Sequence, residues 1–595
     1  MKHLHQLIYL VFVGLLFGWA TPSALAQTFR WVRTGTGPRV EAQVSALAVA
    51  NGQLTAAGVF RDVIKFDNQV FSAKGQYNGA AFTGQWVAAT GSGRWLEASD
   101  SNAPTGSTSI FAEGTAVGLD AAGNSYVAYT IYGDTHFGSV VVAGPDSPGA
   151  NMAVLVKYSS IGEVLWTKRL QGSLGATIAA LAVQPDGTCY FTGRFVGTLI
   201  LGGQTLTSNG PAGNPNYPNG YVTKLTPTGD VQWVRAQAST GGIGPTGLAL
   251  GSAGEVYVCG QFFISITLGP IVALPVRDSG SGGYGDGYLA KYDAAGNVQW
   301  AQDLGGTDGD QANAVAADAA GNVFVAGTFG SNQATLNQSS ITIGSTTLRT
   351  TSVFGGIYPP FNPDGYLAKF TAQGQATWVR GIQGGDLEEP QALATTPQGD
   401  CYVSGYAYDG VSFGPQPTDV LRSTVNGYIG FVAKYGAAGE VRWLTSYAGN
   451  FYDYKVGVAL ATDGQGHVYV GGAFYGVGTT FGSITVVGGA ATTSAFVAAI
   501  DDAQVLPTRP ALTLASPLQV YPNPGTDLVH VEWPSSYQPH YLTLRDALGR
   551  TVRTCVIAPS AASQPIPLVG LLPGLYLLYL QTAAGEVLTQ RLTIY

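Results

Sequence analysis

Apolar and polar positions alternate along the chain with a period of two, in short runs punctuated by glycine, and the clearest run recurs almost intact. In GYLAKFTAQGQATW (Gly365 to Trp378), Tyr366, Ala368 and Phe370 point to one side and Leu367, Lys369 and Thr371 to the other, as a pleated strand requires. A polar turn closed by Gly374 leads into a second strand that carries Trp378. The same hairpin returns as GYLAKYDAAGNVQW ending at Trp300, GYVTKLTPTGDVQW at Trp233, GFVAKYGAAGEVRW at Trp443 and AVLVKYSSIGEVLW at Trp166, with a worn copy, AFTGQWVAATGSGRW, at Trp95. Between copies lies a second hairpin, clearest in NAVAADAAGNVFVAGTF (Asn313 to Phe329), which occurs seven times.

Trp31, Trp95, Trp166, Trp233, Trp300, Trp378 and Trp443 follow one another at spacings of 64, 71, 67, 67, 78 and 65 residues. Two hairpins per period give four strands per repeat, which predicts an all-β chain whose repeats are the blades of a seven-bladed β-propeller. The ends predict how the ring closes. FRWVRTG at Phe29 is a Trp strand with no partner before it, and SAFVAAIDD at Ser494 is a Lys-type strand with no Trp strand after it. The N-terminal strand should therefore complete the last blade, with Trp31 alongside Phe496. The Trp residues and the repeated Lys157, Lys224, Lys291, Lys369 and Lys434 are expected to be packing residues, with Trp86 and Ala499 in place of the Lys in two copies. The pattern resembles the bacterial SBBP propeller repeat, in which a GNVYVAG-like hairpin is paired with a D-x-F/Y-V/L-A-K-Y strand. The resemblance covers about Phe29 to Asp502 and implies an architecture, not a reaction.

Composition agrees and narrows the partners. Of 595 residues 83 are Gly and only 11% are charged, which suits short strands joined by turns. A net charge of -8 with no Lys/Arg cluster argues against nucleic acid or an anionic membrane as partner. The start, MKHLHQ followed by the apolar LIYLVFVGLLFGW and a small-residue site at Ala24 to Ala26, reads as a removable signal peptide over residues 1–26. No later stretch is long and apolar enough for a transmembrane helix. Cys189, Cys259, Cys401 and Cys555 are expected to be buried small hydrophobes rather than a disulfide framework. A monomer is expected.

The propeller should span residues 27–502 and a Pro-punctuated linker residues 503–516, leaving 517–595 for a compact β module with strands at Leu518, Val529, Leu542, Val552, Leu575 and Leu588. Its motifs are VYPNP, holding Tyr521, Pro522, Asn523 and Pro524; LTLRDALGR, ending in Gly549 and Arg550; LPGLYLLYL, with Gly574 and Tyr576; and the closing RLTIY. Together they resemble the type A C-terminal sorting domain of type IX secretion. That resemblance implies a small immunoglobulin-like β-sandwich recognised by the type IX secretion machinery, and export across both membranes to the outer surface or beyond.

In a four-stranded blade the turns between strands one and two and between three and four share one face, and here they are short. The connections on the other face are long and varied, so function is expected there. That face collects Tyr217, then Tyr284 and Asp286, then Tyr358, Phe361 and Asp364, with Asp308, Asp310, Glu388, Tyr452 and Asp453 from the connections between blades. Aromatic faces beside short amides and carboxylates suit a glycan, and a surface protein is the other ligand class. A plainer role as turn starters is open to Asn219, Asp286, Asp364 and Asn426. No cofactor is expected; Ca²⁺ is the alternative, through Asp308, Asp310, Asp386, Glu388, Glu389 and Asp453, which lack the alternating spacing of an EF-hand-like loop. Only His136 and His467 lie in the repeats, which gives little support to a triad or a His-rich metal site. Non-catalytic binding is the leading expectation, with a carboxylate-based hydrolase or lyase on the same face as the alternative.

Overall fold

The computed structural model describes residues 27–502 and 518–594, apart from 37–40, 67–68, 74–78, 103–111, 148, 171, 210–216, 270–271, 278–284, 332–338, 352–362, 409, 423–427, 452–458, 476–478 and 489–492 in the first stretch and 535–538, 547–549, 559–560 and 583–586 in the second. All regular elements among them are strands. The chain separates into two compact bodies, dividing at Val505–Leu506.

In the first body the described residues form seven antiparallel units of four strands. The first strand of each is Glu41–Ala50, Ala112–Leu119, Gly175–Val183, Ile243–Leu250, Gly309–Ala317, Glu388–Thr395 and Ala459–Thr462 in turn. These first strands touch one another in succession, and Ala459–Thr462 touches Glu41–Ala50. Seven hydrophobic cores lie between neighbouring units rather than within them, and one joins Tyr469 and Val497 of the seventh to Leu54 and Phe60 of the first. Radial four-stranded units packed face to face in this order are a β-propeller.

The junction chemistry repeats. Each Trp on a fourth strand except Trp443 lies against the glycine of the turn between strands three and four in the next unit. A Cβ on Gly296 would fall 2.8 Å from the Trp233 ring, and its φ of 81° is one that only glycine adopts without strain, so the motif needs Gly twice over. The indole N–H of Trp31, Trp233, Trp300 and Trp378 donates to the carbonyl of Ala88, Ala294, Ala372 and Ala437, each in that same turn, at 3.0–3.1 Å. Arg33, Arg235 and Arg380, two residues after their Trp, donate Nε to the turn-glycine carbonyl. The repeated lysines lie over a second-strand aromatic ring, as Lys224 does over Tyr190 at 5.1 Å. At roughly 25 cal/mol/Å², a ring covering about 150–250 Å² contributes several kcal/mol to each junction.

A second device was not legible in the sequence. The long connection between strands two and three carries a short hairpin, such as Thr198–Leu201 with Gln204–Thr207, and in every unit it pairs backward with the end of the preceding unit. The bridges are Thr36–Lys65, His136–Asp100, Gly172–Leu199, Gln237–Leu268, Gly306–Ile341, Gln383–Ser412 and Tyr447–Phe481. The Thr36–Lys65 bridge shows the N-terminal strand making the contact that any other fourth strand makes.

That strand, Thr28–Gly35, pairs antiparallel with Thr493–Asp501. The register differs from the expected one: Thr34 faces Phe496, and Trp31 faces Ala499. This is the position of the repeated lysines, since Lys224 faces Trp233 and Lys291 faces Trp300. The same register corrects the first copy, where Gln85 rather than Trp86 faces Trp95, because the turn there is one residue longer: Gln85 and Trp95 are ten positions apart, against nine for Lys224 and Trp233. The seventh unit has no chain turn between its third and fourth strands, so Trp443 finds no turn carbonyl there. Asp502 takes that place, accepting from Trp443 Nε1 at 3.0 Å, Tyr402 hydroxyl at 2.7 Å and Lys434 Nζ at 2.5 Å. Burial opposes its charge, but the Lys434, Tyr402 and Trp443 hydrogen bonds hold its carboxyl below the usual range.

The second body has two antiparallel sheets, one of Gln519–Tyr521, Leu528–Glu532 and Ser563–Pro567, the other of Thr551–Val556, Pro539–Arg545, Gly574–Thr582 and Val587–Ile594. Val529, Val531, Leu542, Leu544, Leu578, Leu580 and Leu592 share one core between them. Asn523 fastens the YPNP segment to the closing strand: its Nδ2 donates to the Arg591 carbonyl and its Oδ1 accepts from Thr593 N. The Tyr576 hydroxyl donates to the Leu572 carbonyl, Gly574 opens its strand, the Arg550 Nε donates to Asp546, and Gly549 lies outside the described residues.

Replacing Asp502 by Ala should lower the unfolding free energy of the mature chain by about 2–3 kcal/mol, since it strips three donors of one charged acceptor. Chemical denaturation measures it; an unchanged midpoint would show that the missing turn needs no substitute.

Candidate functional site

On the long-loop face the first and second strands of the units present cross-strand pairs at one fixed register. The pairs are Gln43–Val59, Glu113–Thr130, Thr177–Arg194, Gly244–Gln261, Gln311–Thr328 and Glu389–Tyr406. The next residue on each second strand is buried and mostly constant, as in Phe60, Phe195, Phe262 and Phe329, whereas the pair itself changes in every unit. Alternation sends the constant residue and the variable pair to opposite faces of the sheet, and the constant residue joins the core between units. A position held in geometry but free in chemistry is where a repeat scaffold carries specificity.

Three of these pairs, Glu113–Thr130, Thr177–Arg194 and Gly244–Gln261, and Gln311 of a fourth line a cavity of about 680 Å³, together with Thr115, Tyr132, Asn151, Pro218, Thr246 and Phe263. That volume lies in the range of small-molecule sites. The larger part of the wall is apolar; Thr hydroxyls, Tyr132 and the amides of Asn151, Gln261 and Gln311 stand in it, and its charged side chains are Glu113 and Arg194. Arg194 is exposed and, among the described residues, makes no ion pair and no side-chain hydrogen bond, unlike the arginines fastened to the turns. Tyr132 beside it is 42% exposed. Gln261 is held in place by donating Nε2 to the Asp310 carbonyl at 3.0 Å. A smaller cavity of about 330 Å³ lies at the opposite ends of the first strands and has apolar walls that include Val49, Val117, Leu119 and Val183.

Of the residues put forward from sequence, Tyr284, Tyr358, Phe361, Tyr452 and Asp453 lie outside the described residues, as does Asn426. Tyr217 is 38% exposed and precedes Pro218 in the cavity wall. Asp308 is partly buried and accepts from the Ser339 hydroxyl. Asp286, Asp310, Asp364 and Glu388 do not stand on the loop surface as expected: each is at most 1% exposed. The cause is the blade junction. The first residues of one unit's third strand meet the start of the next unit's first strand, through Asp310 N to the Gly285 carbonyl and Glu388 N to the Pro363 carbonyl. The side chains are thereby folded under the loops. Asp286 and Asp364 cap backbone there, accepting from Arg277 N at 2.6 Å and Thr351 N at 2.8 Å, and Asn219 accepts from Ser239 N in the equivalent place. Glu113, Tyr132, Asn151, Arg194 and Gln261 were missed, although for Arg194 and Gln261 the changing residue before a constant Phe marks the position in the sequence.

The buried acids titrate high. Burial, then the neighbouring Asp364 charge, pushes Glu388 up to about 9, and it shares a hydrogen bond with Asp364. Burial, then Asp286, holds Asp310 well above the carboxylate range, and burial raises Asp364 as well. No group of three or more His, Cys, Asp or Glu among the described residues is arranged to hold a metal ion. The Asp364 and Glu388 carboxyls lie buried beneath the loops.

Folded Glu388 keeps its proton up to about pH 9, whereas the unfolded side chain releases it near 4.5. Its contribution to stability is therefore complete below pH 4.5 and is lost as pH rises toward 9, at up to about 1.4 kcal/mol per pH unit. The melting temperature of the mature chain should fall from pH 5 to 9, and Glu388→Gln should flatten the slope by about one proton; an unaltered slope in the variant would show that Glu388 is ionised in the fold.

Over 330 residues the chain is 26% identical to Regulatory protein FlaEY of Caulobacter vibrioides, taking in 54% of this chain and 33% of that protein. It is 23% identical over 373 residues to an uncharacterized WD repeat-containing protein of Acanthamoeba polyphaga mimivirus, again over 54% of this chain and over 26% of the relative. The chain thus spans a third or less of the length of these relatives. Among solved structures, the WD40 domain of Neurospora crassa Pan2 aligns at a TM-score of 0.26 and 9% identity, covering 65% of this chain and 88% of that domain. Residues 519–595 match the family described as the secretion system C-terminal sorting domain, and the module that Asn523 ties together is a sorting domain of type IX secretion.

Proposed function

We propose that the chain is an exported, non-catalytic binding protein that holds a glycan at the loop-face mouth of a closed seven-bladed ring. Closure is supported by the core shared between the seventh and first units and by the N-terminal strand in the fourth-strand position. In this reading the ring belongs to the SBBP kind, residues 1–26 are removed as a signal peptide, and an immunoglobulin-like C-terminal domain delivers a monomer to the outer surface or the medium.

The observation that carries the binding reading is the set of register-equivalent pairs whose chemistry differs from unit to unit around a cavity of mixed apolar and polar lining. A purely structural mouth has no need of a different residue in each unit. Non-catalytic action is favoured by where the carboxyls stand. Glycoside hydrolysis needs two open carboxyl groups some 5–10 Å apart across the sugar. Here the close acid pairs are buried, and Glu389 at the mouth accepts a hydrogen bond from the Tyr406 hydroxyl. No metal is invoked.

Two experiments test this. Deleting residues 518–595 should leave the repeat region in the periplasm, read by fractionation; export of the shortened chain at the normal level would remove the sorting role. On a glycan array the mature chain should retain at least one oligosaccharide class. Filling the mouth with Gly244→Phe should weaken that binding at least tenfold without lowering the melting temperature, since a Cβ at 244 meets nothing within 4 Å. Undiminished binding by the variant would move the ligand off the mouth.

A further inference from the structure

We propose that the glycan is an acidic one, in which a uronate unit enters the 680 Å³ cavity and gives its carboxylate to Arg194. The inference rests on the glycan-binding reading above and names its ligand class. A guanidinium is a planar fork that fits a carboxylate through two parallel hydrogen bonds, and Arg194 has no such partner among the described residues. Among the described residues it is also the only basic one in the cavity wall.

The rest of the wall matches a pyranose ring. Tyr132 is 42% exposed at the rim and offers an apolar face for ring C–H groups. Gln261, Asn151 and Thr130 offer amides and a hydroxyl to sugar hydroxyls. Glu113, on the neighbouring unit, repels a second anion and accepts from hydroxyls, so the cavity is built for one acid among neutral groups. A net charge of -8 works in the same direction, because a densely charged polyanion would be repelled by the body around the site. A glycan with spaced uronates satisfies both conditions.

The test is calorimetric titration of the full mature chain with oligosaccharides containing galacturonate, glucuronate or mannuronate, and with the same compounds after reduction of the carboxylate to the alcohol. At least one uronate series should bind, with its reduced counterpart weaker by tenfold or more. Arg194→Gln should lose that same factor for the acid and leave the weak neutral affinity and the melting temperature unchanged, and Arg194→Lys should recover part of the loss. Equal binding of acid and reduced forms, or full affinity in Arg194→Gln, would overturn the uronate assignment while leaving glycan binding intact. Failure to bind any oligosaccharide, or a preference for peptides with a free C-terminal carboxylate, would overturn the assignment and the glycan reading together.

Discussion

The structure depends on a flat indole lying on a residue that has no side chain. Trp233 covers Gly296, Trp300 covers Gly374 and Trp378 covers Gly439, so every unit but the seventh presents a ring on one edge and a bare turn on the other. Neither half can bury itself alone. An isolated unit would expose its Trp and leave the turn carbonyl and the following arginine without each other, which is why the hydrophobic cores lie between units. The contact also fixes the spacing of the chain, since ring and turn must return at the same height in each repeat.

Where the chain runs out, the same demand is met by other chemistry. The seventh unit borrows its Trp strand from the N-terminus and therefore has no turn to offer Trp443. A carboxylate at Asp502 replaces the missing carbonyl and draws in Lys434 and Tyr402, converting a neutral junction into a charged one. The short hairpins add a backbone bridge at every junction, so separating two units breaks sheet hydrogen bonds as well as packing.

Repetition made the strands, the Trp positions and the N-terminal partner legible, because packing residues recur with the period they enforce. Three things stayed hidden for physical reasons. The backward hairpins are two to four residues a strand, too short for alternation to stand out from a polar loop, as in Thr198–Leu201. The turn of the first copy is one residue longer than the others, so counting back from Trp95 reaches Trp86 where Gln85 stands. Asp286-Gly and Asp364-Gly carry the signature of an exposed turn, and only the three-dimensional meeting of one unit's third strand with the next unit's first strand buries them. In the C-terminal body, Ser563–Pro567 was lost among prolines, which an edge strand tolerates because one row of its donors is not needed.

The buried acids and the open cavity lie in overlapping parts of one ring, and the overlap runs through the backbone. Where Asn219 and Ile243 meet at the junction of the third and fourth units, the contact is neutral and the cavity wall is formed by Pro218, Ile243 and Gly244. One junction further on, Asp286 and Asp310 replace them, and the Asp310 carbonyl orients Gln261 in the wall of the same cavity. Burial, with the Asp286 charge beside it, favours the neutral form of Asp310, which keeps a second negative charge out of that junction. The cavity amide is thus held by the backbone of a residue whose side chain is buried beneath the wall, so the variable mouth rests on junctions that are themselves chemically varied.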